Sequence, residues 1–133
     1  IVGGEPVIGL LPFATTADFS AAIVHASRLA RHAAGLRPNA PYSALIHRPD
    51  AGHADADPLQ VPRVMLAGRV RPLVHDDAAY ADARARYVSK FPQSEPIFAL
   101  PDFTLHALQI ENGRLVGGFA RAVNFTSSAL SNL

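Results

Sequence analysis

An Asn-Gly pair at positions 112 and 113 restricts this chain more than any other feature. Both residue types tolerate positive φ, so the pair suits a two-residue type I′ turn, whose twist matches that of antiparallel strands. Apolar and polar residues alternate on both sides of it, over residues 103–111 and 114–125. The expectation is a hairpin, hence an antiparallel sheet rather than a parallel one wrapped in helices. Two glycines inside the return run, Gly117 and Gly118, suggest a bulge or a close approach by another group.

Other segments extend the sheet. Over residues 61–70, Val64, Leu66, Gly68 and Val70 fall on one side and Arg63, Met65, Ala67 and Arg69 on the other, as in a half-buried strand. Residues 41–48 form a strand-like run with proline at each side, Pro41 and Pro49. Residues 7–11 read as a buried strand ending near Pro12, paired through a polar connection with a run over residues 19–24. Ser27 has the character of an N-cap for a short helix through Ala34, closed by Gly35 and Pro38. A firmer amphipathic helix opens at Asp76 and Asp77, carries Tyr80, Ala83, Tyr87, Val88 and Phe91 at helical spacing, and stops at Pro92. The sum is a mainly β chain with inserted helices, and closure into a small barrel would protect its edges.

Composition narrows the function classes. At 133 residues the chain makes a single domain, residues 1–133. With no cysteine there are no disulfides, thiolate metal ligands or cysteine nucleophiles, and a cytoplasmic location is expected. A net charge of +1 argues against nucleic-acid and membrane-surface partners. The apolar stretch over residues 6–14 is too short to span a bilayer.

Three places could carry chemistry. Ser27, Arg31 and His32, with the last two four and five residues after Ser27 on a helix beginning there, would place a hydroxyl, a guanidinium and an imidazole near the positive end of that helix. Such a cluster suits a phosphate; the plainer reading is an ordinary cap beside a solvated arginine. Arg63 opens the long strand on its polar side, as an anion contact or as a charge that blunts an edge. The glycines at 117 and 118 could lie flat on a planar ring with Arg121 beside them, or simply form a bulge. His47 and His53 with Asp50, Asp55 and Asp57 belong to an aperiodic loop, which reads as solvated, so no metal is expected. No Gly-x-Ser-x-Gly, Walker or dinucleotide fingerprint occurs.

Four blocks in order carry a family resemblance: residues 4–14; Ser27-Arg28-Leu29-Ala30-Arg31-His32; residues 62–70; and residues 101–106 together with 116–122. Together they resemble the FMN-binding split-barrel proteins, specifically the pyridoxamine 5′-phosphate oxidase-related group with its haem-utilisation branch. The resemblance implies a six-stranded antiparallel barrel, with a first strand lying upstream of Ile1. It further implies a homodimer with FMN between subunits and the activity of an FMN-dependent oxidoreductase on a small molecule. Ser27, Arg31 and His32 would then bind the flavin phosphate, and Arg63 would contact the flavin. Backbone of Ile8, Gly9, Leu10 and Leu11 would line the ring, and Arg121 would face cofactor or partner. The alternative it implies is a haem or flavin carrier with little or no turnover. Ala33 and Gly35 stand where the family has threonine and asparagine, and His106 where it has tyrosine.

Overall fold

The computed structural model describes residues 1–47, 57, 60–118 and 121–130. Its strands are β1 (Phe13–Thr15), β2 (Ala21–Ser27), β3 (Pro41–His47), β4 (Arg63–Leu73), β5 (Phe103–Val116) and β6 (Ala122–Thr126). Its helices are α1 (Tyr80–Lys90) and the short α2 (Ser127–Leu130), with 3-10 segments over Arg31–Gly35 and Pro92–Ala99. All six strands join one antiparallel sheet in the order β1-β2-β5-β4-β3, with β6 also on β5. Six strands are therefore reached within residues 13–126.

The 14-residue β5 organises the fold. One of its edges is taken by β4, from Leu105 opposite Leu73 to Val116 opposite Arg63. Its other edge is divided: β2 holds residues 103–109, and β6 holds residues 112–116. This handover splits the sheet into two halves that share one strand.

Burial follows strand periodicity. Ala21, Ile23, Leu73, Leu105 and Ala107 pack beneath α1 through its Ala83 and Tyr87. On the opposite face Ala22, Val24, Val70 and Leu108 pack with Leu11, Phe13, Leu36, Ala40 and Tyr42. Both faces of β2 are thus covered, which is why its sequence is almost uninterruptedly apolar. Within the second layer Tyr42 donates its hydroxyl to the Leu108 carbonyl at 3.2 Å, and burial pushes its pKa up to about 12.

Helix α1 forms as its apolar spacing requires, but it begins at Tyr80. Asp77 precedes it, accepting from the Ala79 N–H at 2.9 Å and from Arg71 at 2.6 Å. At the other end Lys90 donates to the Phe13 carbonyl at 2.7 Å and lies 4.4 Å from the Phe13 ring centroid, tying the helix to β1.

Four expectations fail. Residues 7–11 form no strand; the first strand is β1, and it pairs with β2 across residues 16–20. Ser27 starts no helix: it ends β2, and a five-residue 3-10 segment begins only at Arg31, without a side-chain cap. Asn112 and Gly113 do not turn, because β5 runs straight through them, opposite Ala67 and Leu66. The chain reverses instead between Val116 and Ala122, where the Gly117 N–H donates to the Arg121 carbonyl at 2.9 Å and Gly118 takes φ +132°. The paired glycines are the turn, since glycine alone enters that region at little cost.

Candidate functional site

At the end of β2, the Ser27 hydroxyl donates to Asp102 Oδ2 at 2.6 Å and accepts from the Leu29 N–H at 3.2 Å. The Arg28 backbone N–H bonds the Asp102 carbonyl at 2.7 Å, and its guanidinium bonds the Pro101 carbonyl at 2.8 Å. These bonds lock the entry to β5 onto the exit of β2. A carboxylate already holds the hydroxyl that a phosphate would use, and its charge repels an anion.

Arg31 is exposed on the following 3-10 segment. His32, beside it, is packed under the extended backbone at residue 9: a β-carbon on Gly9 would stand 2.5 Å from His32 Cγ and Nδ1. His32 Nε2 is buried without a hydrogen-bond partner among the described residues. The neighbouring Ile8 and Leu10 are 96% and 98% exposed, while Leu11 turns into the inner core.

Arg63 and Arg121 lie elsewhere. Arg63 opens β4 opposite His47 and Val116 and donates to the Val61 carbonyl at 3.3 Å. Arg121 is exposed in the turn before β6. Val116 and Phe103 are the two ends of β5, on the order of 40 Å apart along an extended strand, and Ser27 pairs with Phe103. The expected site residues therefore fall into two groups at opposite ends of β5. Of the loop set, His47 and Asp57 are described while Asp50, His53 and Asp55 lie outside the described residues, as do Phe119 and Ala120. No group of three or more metal-ligating side chains occurs among the described residues.

Between the two groups is a feature that the sequence reading did not single out. Strands β3 to β6 form an open cleft of about 970 Å³, lined chiefly by Leu45, Met65, Leu66, Val123 and Phe125 with Arg114 at its side and Ile8 reaching in. That volume is in the range of cofactor sites. Its lining contains no acidic residue among the described positions. The signal was present in β4, where Met65 interrupts the arginines on the outer face, but periodicity alone cannot separate an apolar cleft residue from a scattered exposed one.

Two further histidines are structural. His25 is 7% exposed, stacked 3.9 Å from Phe98 and edged by Tyr87. Burial, reinforced by His106, pushes its pKa down to about 4. His106 is 6% exposed, and burial lowers its pKa as well.

No protein-family model and no curated protein matches the sequence. Solved structures do. A structure described as a haem-binding protein from Mycobacterium smegmatis superimposes with a TM-score of 0.81 at 27% identity over 97% of this chain. HutZ, described as the haem storage protein from Vibrio cholerae, gives 0.67 at 23% over 81% of this chain and 74% of its own. A Clostridium acetobutylicum protein of the pyridoxinephosphate oxidase family gives 0.61 at 15% over 96% of this chain and 81% of its own. The chain shares the split-barrel fold of these structures, which are described as haem-binding, haem-storage and pyridoxinephosphate oxidase-family proteins. This split barrel spans 50% of the length of the Mycobacterium smegmatis protein. Among its described residues no helix is long and apolar enough to cross a membrane.

Proposed function

We propose that this split barrel binds haem in the cleft formed by β3 to β6, as a carrier or handling protein. The observation that carries the reading is the cleft itself: large, open on one side, apolar, free of carboxylates among the described residues and bordered by Arg114. A planar tetrapyrrole with acidic edge groups has the matching chemistry, apolar faces for the floor and carboxylates for the guanidinium. The description of the Mycobacterium smegmatis structure as haem-binding supports the same ligand class. Titrating purified protein with hemin and following the Soret band tests it; absence of a saturable change overturns it.

A homodimer belongs to this proposal. Ile8 and Leu10 extend into solvent from a segment beside the cleft, and such apolar exposure is costly unless covered.

A flavin mononucleotide is the second reading, favoured by the buried, unpartnered His32 Nε2 beside the exposed Arg31. Those two residues suit its phosphate, whereas Ser27, held by Asp102, does not. Flavin fluorescence titration decides it, and oxidation of reduced nicotinamide by the loaded protein would then separate an oxidoreductase from a carrier.

A further inference from the structure

We infer that residues 7–11 pair, antiparallel and centred on Gly9, with the same residues of a second copy of this chain. The ribbon specifies the contact surface of the homodimer proposed above, on which it rests, whatever ligand the cleft takes. Between Pro6 and Pro12 the sequence is Val-Ile-Gly-Leu-Leu, with no polar or charged side chain. Its sides alternate as in a strand: Val7 and Leu11 are half-buried, Gly9 faces inward onto the His32 ring, and Ile8 and Leu10 point into solvent. Among the described residues, however, no backbone N–H or carbonyl of residues 7–11 is hydrogen-bonded. A strand edge that must stay free usually carries charges or a proline within it. Here the prolines stand only at the two ends, where they limit pairing to five residues, and nothing between them opposes it.

A second copy is the occupant because the segment complements itself. Antiparallel pairing about Gly9 sets Ile8 opposite Leu10 of the partner subunit and Val7 opposite Leu11 of the partner subunit, and the two glycines meet at the twofold axis. Every opposed pair is apolar, so each chain supplies the cover that the other lacks. A five-residue ribbon alone is smaller than the roughly 800 Å² per partner of a stable interface. The apolar surface continues past it, because Ile8 shares the cleft lining with Leu45 and Val123, each 61% exposed. Leu10 is absent from that lining. The pairing therefore carries Leu10 of the partner subunit to the rim of each cleft, and two chains complete one site.

The absence of cysteine makes a register test by cross-linking possible. Directly opposed residues of an antiparallel pair have α-carbons about 4.5–5.5 Å apart, inside the range a disulfide spans. Full-length Ile8→Cys and isotope-labelled Leu10→Cys proteins are oxidised separately and as a mixture, and the products are identified by mass. Sedimentation velocity of reduced wild type and of the Ile8→Lys, Leu10→Lys double variant gives the oligomeric state, with circular dichroism to establish folding. Wild type is expected to sediment as a dimer and the lysine variant as a folded monomer. The mixed disulfide between positions 8 and 10 should form at least about tenfold faster than either like-with-like disulfide, whose partners stand on a diagonal. A monomeric wild type overturns the ribbon and the homodimer together. A folded lysine variant that remains a dimer, or like-with-like disulfides as fast as the mixed one, overturns the ribbon and leaves the homodimer standing. Should the lysine variant unfold, the disulfide register decides.

Discussion

Gly113 lies directly beneath the ring of Phe125: a β-carbon at 113 would overlap Phe125 Cζ and stand 2.8 Å from the Met65 carbonyl oxygen. The glycine is there for space, not for a turn. It lets β6 bring an aromatic ring down onto the β5 backbone, and that ring is a wall of the cleft. Gly113→Ala is expected to destabilise the protein by about 1–3 kcal/mol, because a backbone oxygen and a packed ring must both move. Chemical denaturation measures this, and hemin affinity should fall with it. A fully stable variant would show that Phe125 can swing away.

The same position explains the chief misreading of the sequence. Asn-Gly between alternating runs has the pattern of a hairpin turn, and nothing local distinguishes a glycine kept for φ from one kept for clearance. Only the ring arriving from β6 decides, and that contact exists solely in the assembled sheet. Alternation itself was legible: β3, β4, the first part of β5 and the body of α1 lie where their patterns place them, since burial on one face writes a period into the sequence. Ser27 misled for a related reason. Its hydroxyl does bond a nearby backbone N–H, as a capping serine does, but β2 continues to this residue because Phe103 and Asp102 pair with it. The cleft was the least legible element, being built from four strands, three of which offer a few unremarkable apolar residues while β5 offers Asn112, Gly113 and Arg114.

Gly9→Ala should disturb His32. The added methyl group meets the imidazole at 2.5 Å, so either the ring rotates or the segment over residues 7–11 lifts. The measurement is the His32 side-chain resonances in a two-dimensional NMR spectrum of the apo protein, with Gly117→Ala, which has open space and an ordinary φ, as control. Large shifts at His32 are expected in the first variant. Unchanged His32 resonances would mean that the segment does not rest on the ring in solution.

The Ser27–Asp102 hydrogen bond bears on the choice of ligand. If Asp102 blocks a phosphate, Asp102→Asn should strengthen binding of flavin mononucleotide, by removing a repelling charge while keeping an acceptor for the hydroxyl. Stability should drop by only about 1–2 kcal/mol, the difference between a charged and a neutral acceptor. Arg31→Ala should weaken any such binding by about 1.5–3 kcal/mol. Fluorescence titration of both variants checks the pair, and tighter hemin binding in Asp102→Asn is not expected.

The buried histidines set a pH limit on the fold. His25 is stacked on Phe98 and bounded by Tyr87 and Phe103, with His106 across the sheet, so neither face offers a carboxylate to a charged ring. Desolvation first, and the neighbouring His106 second, hold its pKa near 4 against 6.5 in the unfolded chain. The folded state therefore binds fewer protons than the unfolded state between those values. Stability is complete above about pH 6.5, falls as the unfolded chain takes up its proton, and is lost down to about pH 4, where the folded form protonates too. The loss from His25 is on the order of 2–3 kcal/mol, and His106, shifted in the same direction by burial, adds to it. His25→Phe, which keeps the stack and removes the titration, should flatten the curve of unfolding free energy against pH across this window. A variant as acid-sensitive as wild type would place the pH dependence in other groups.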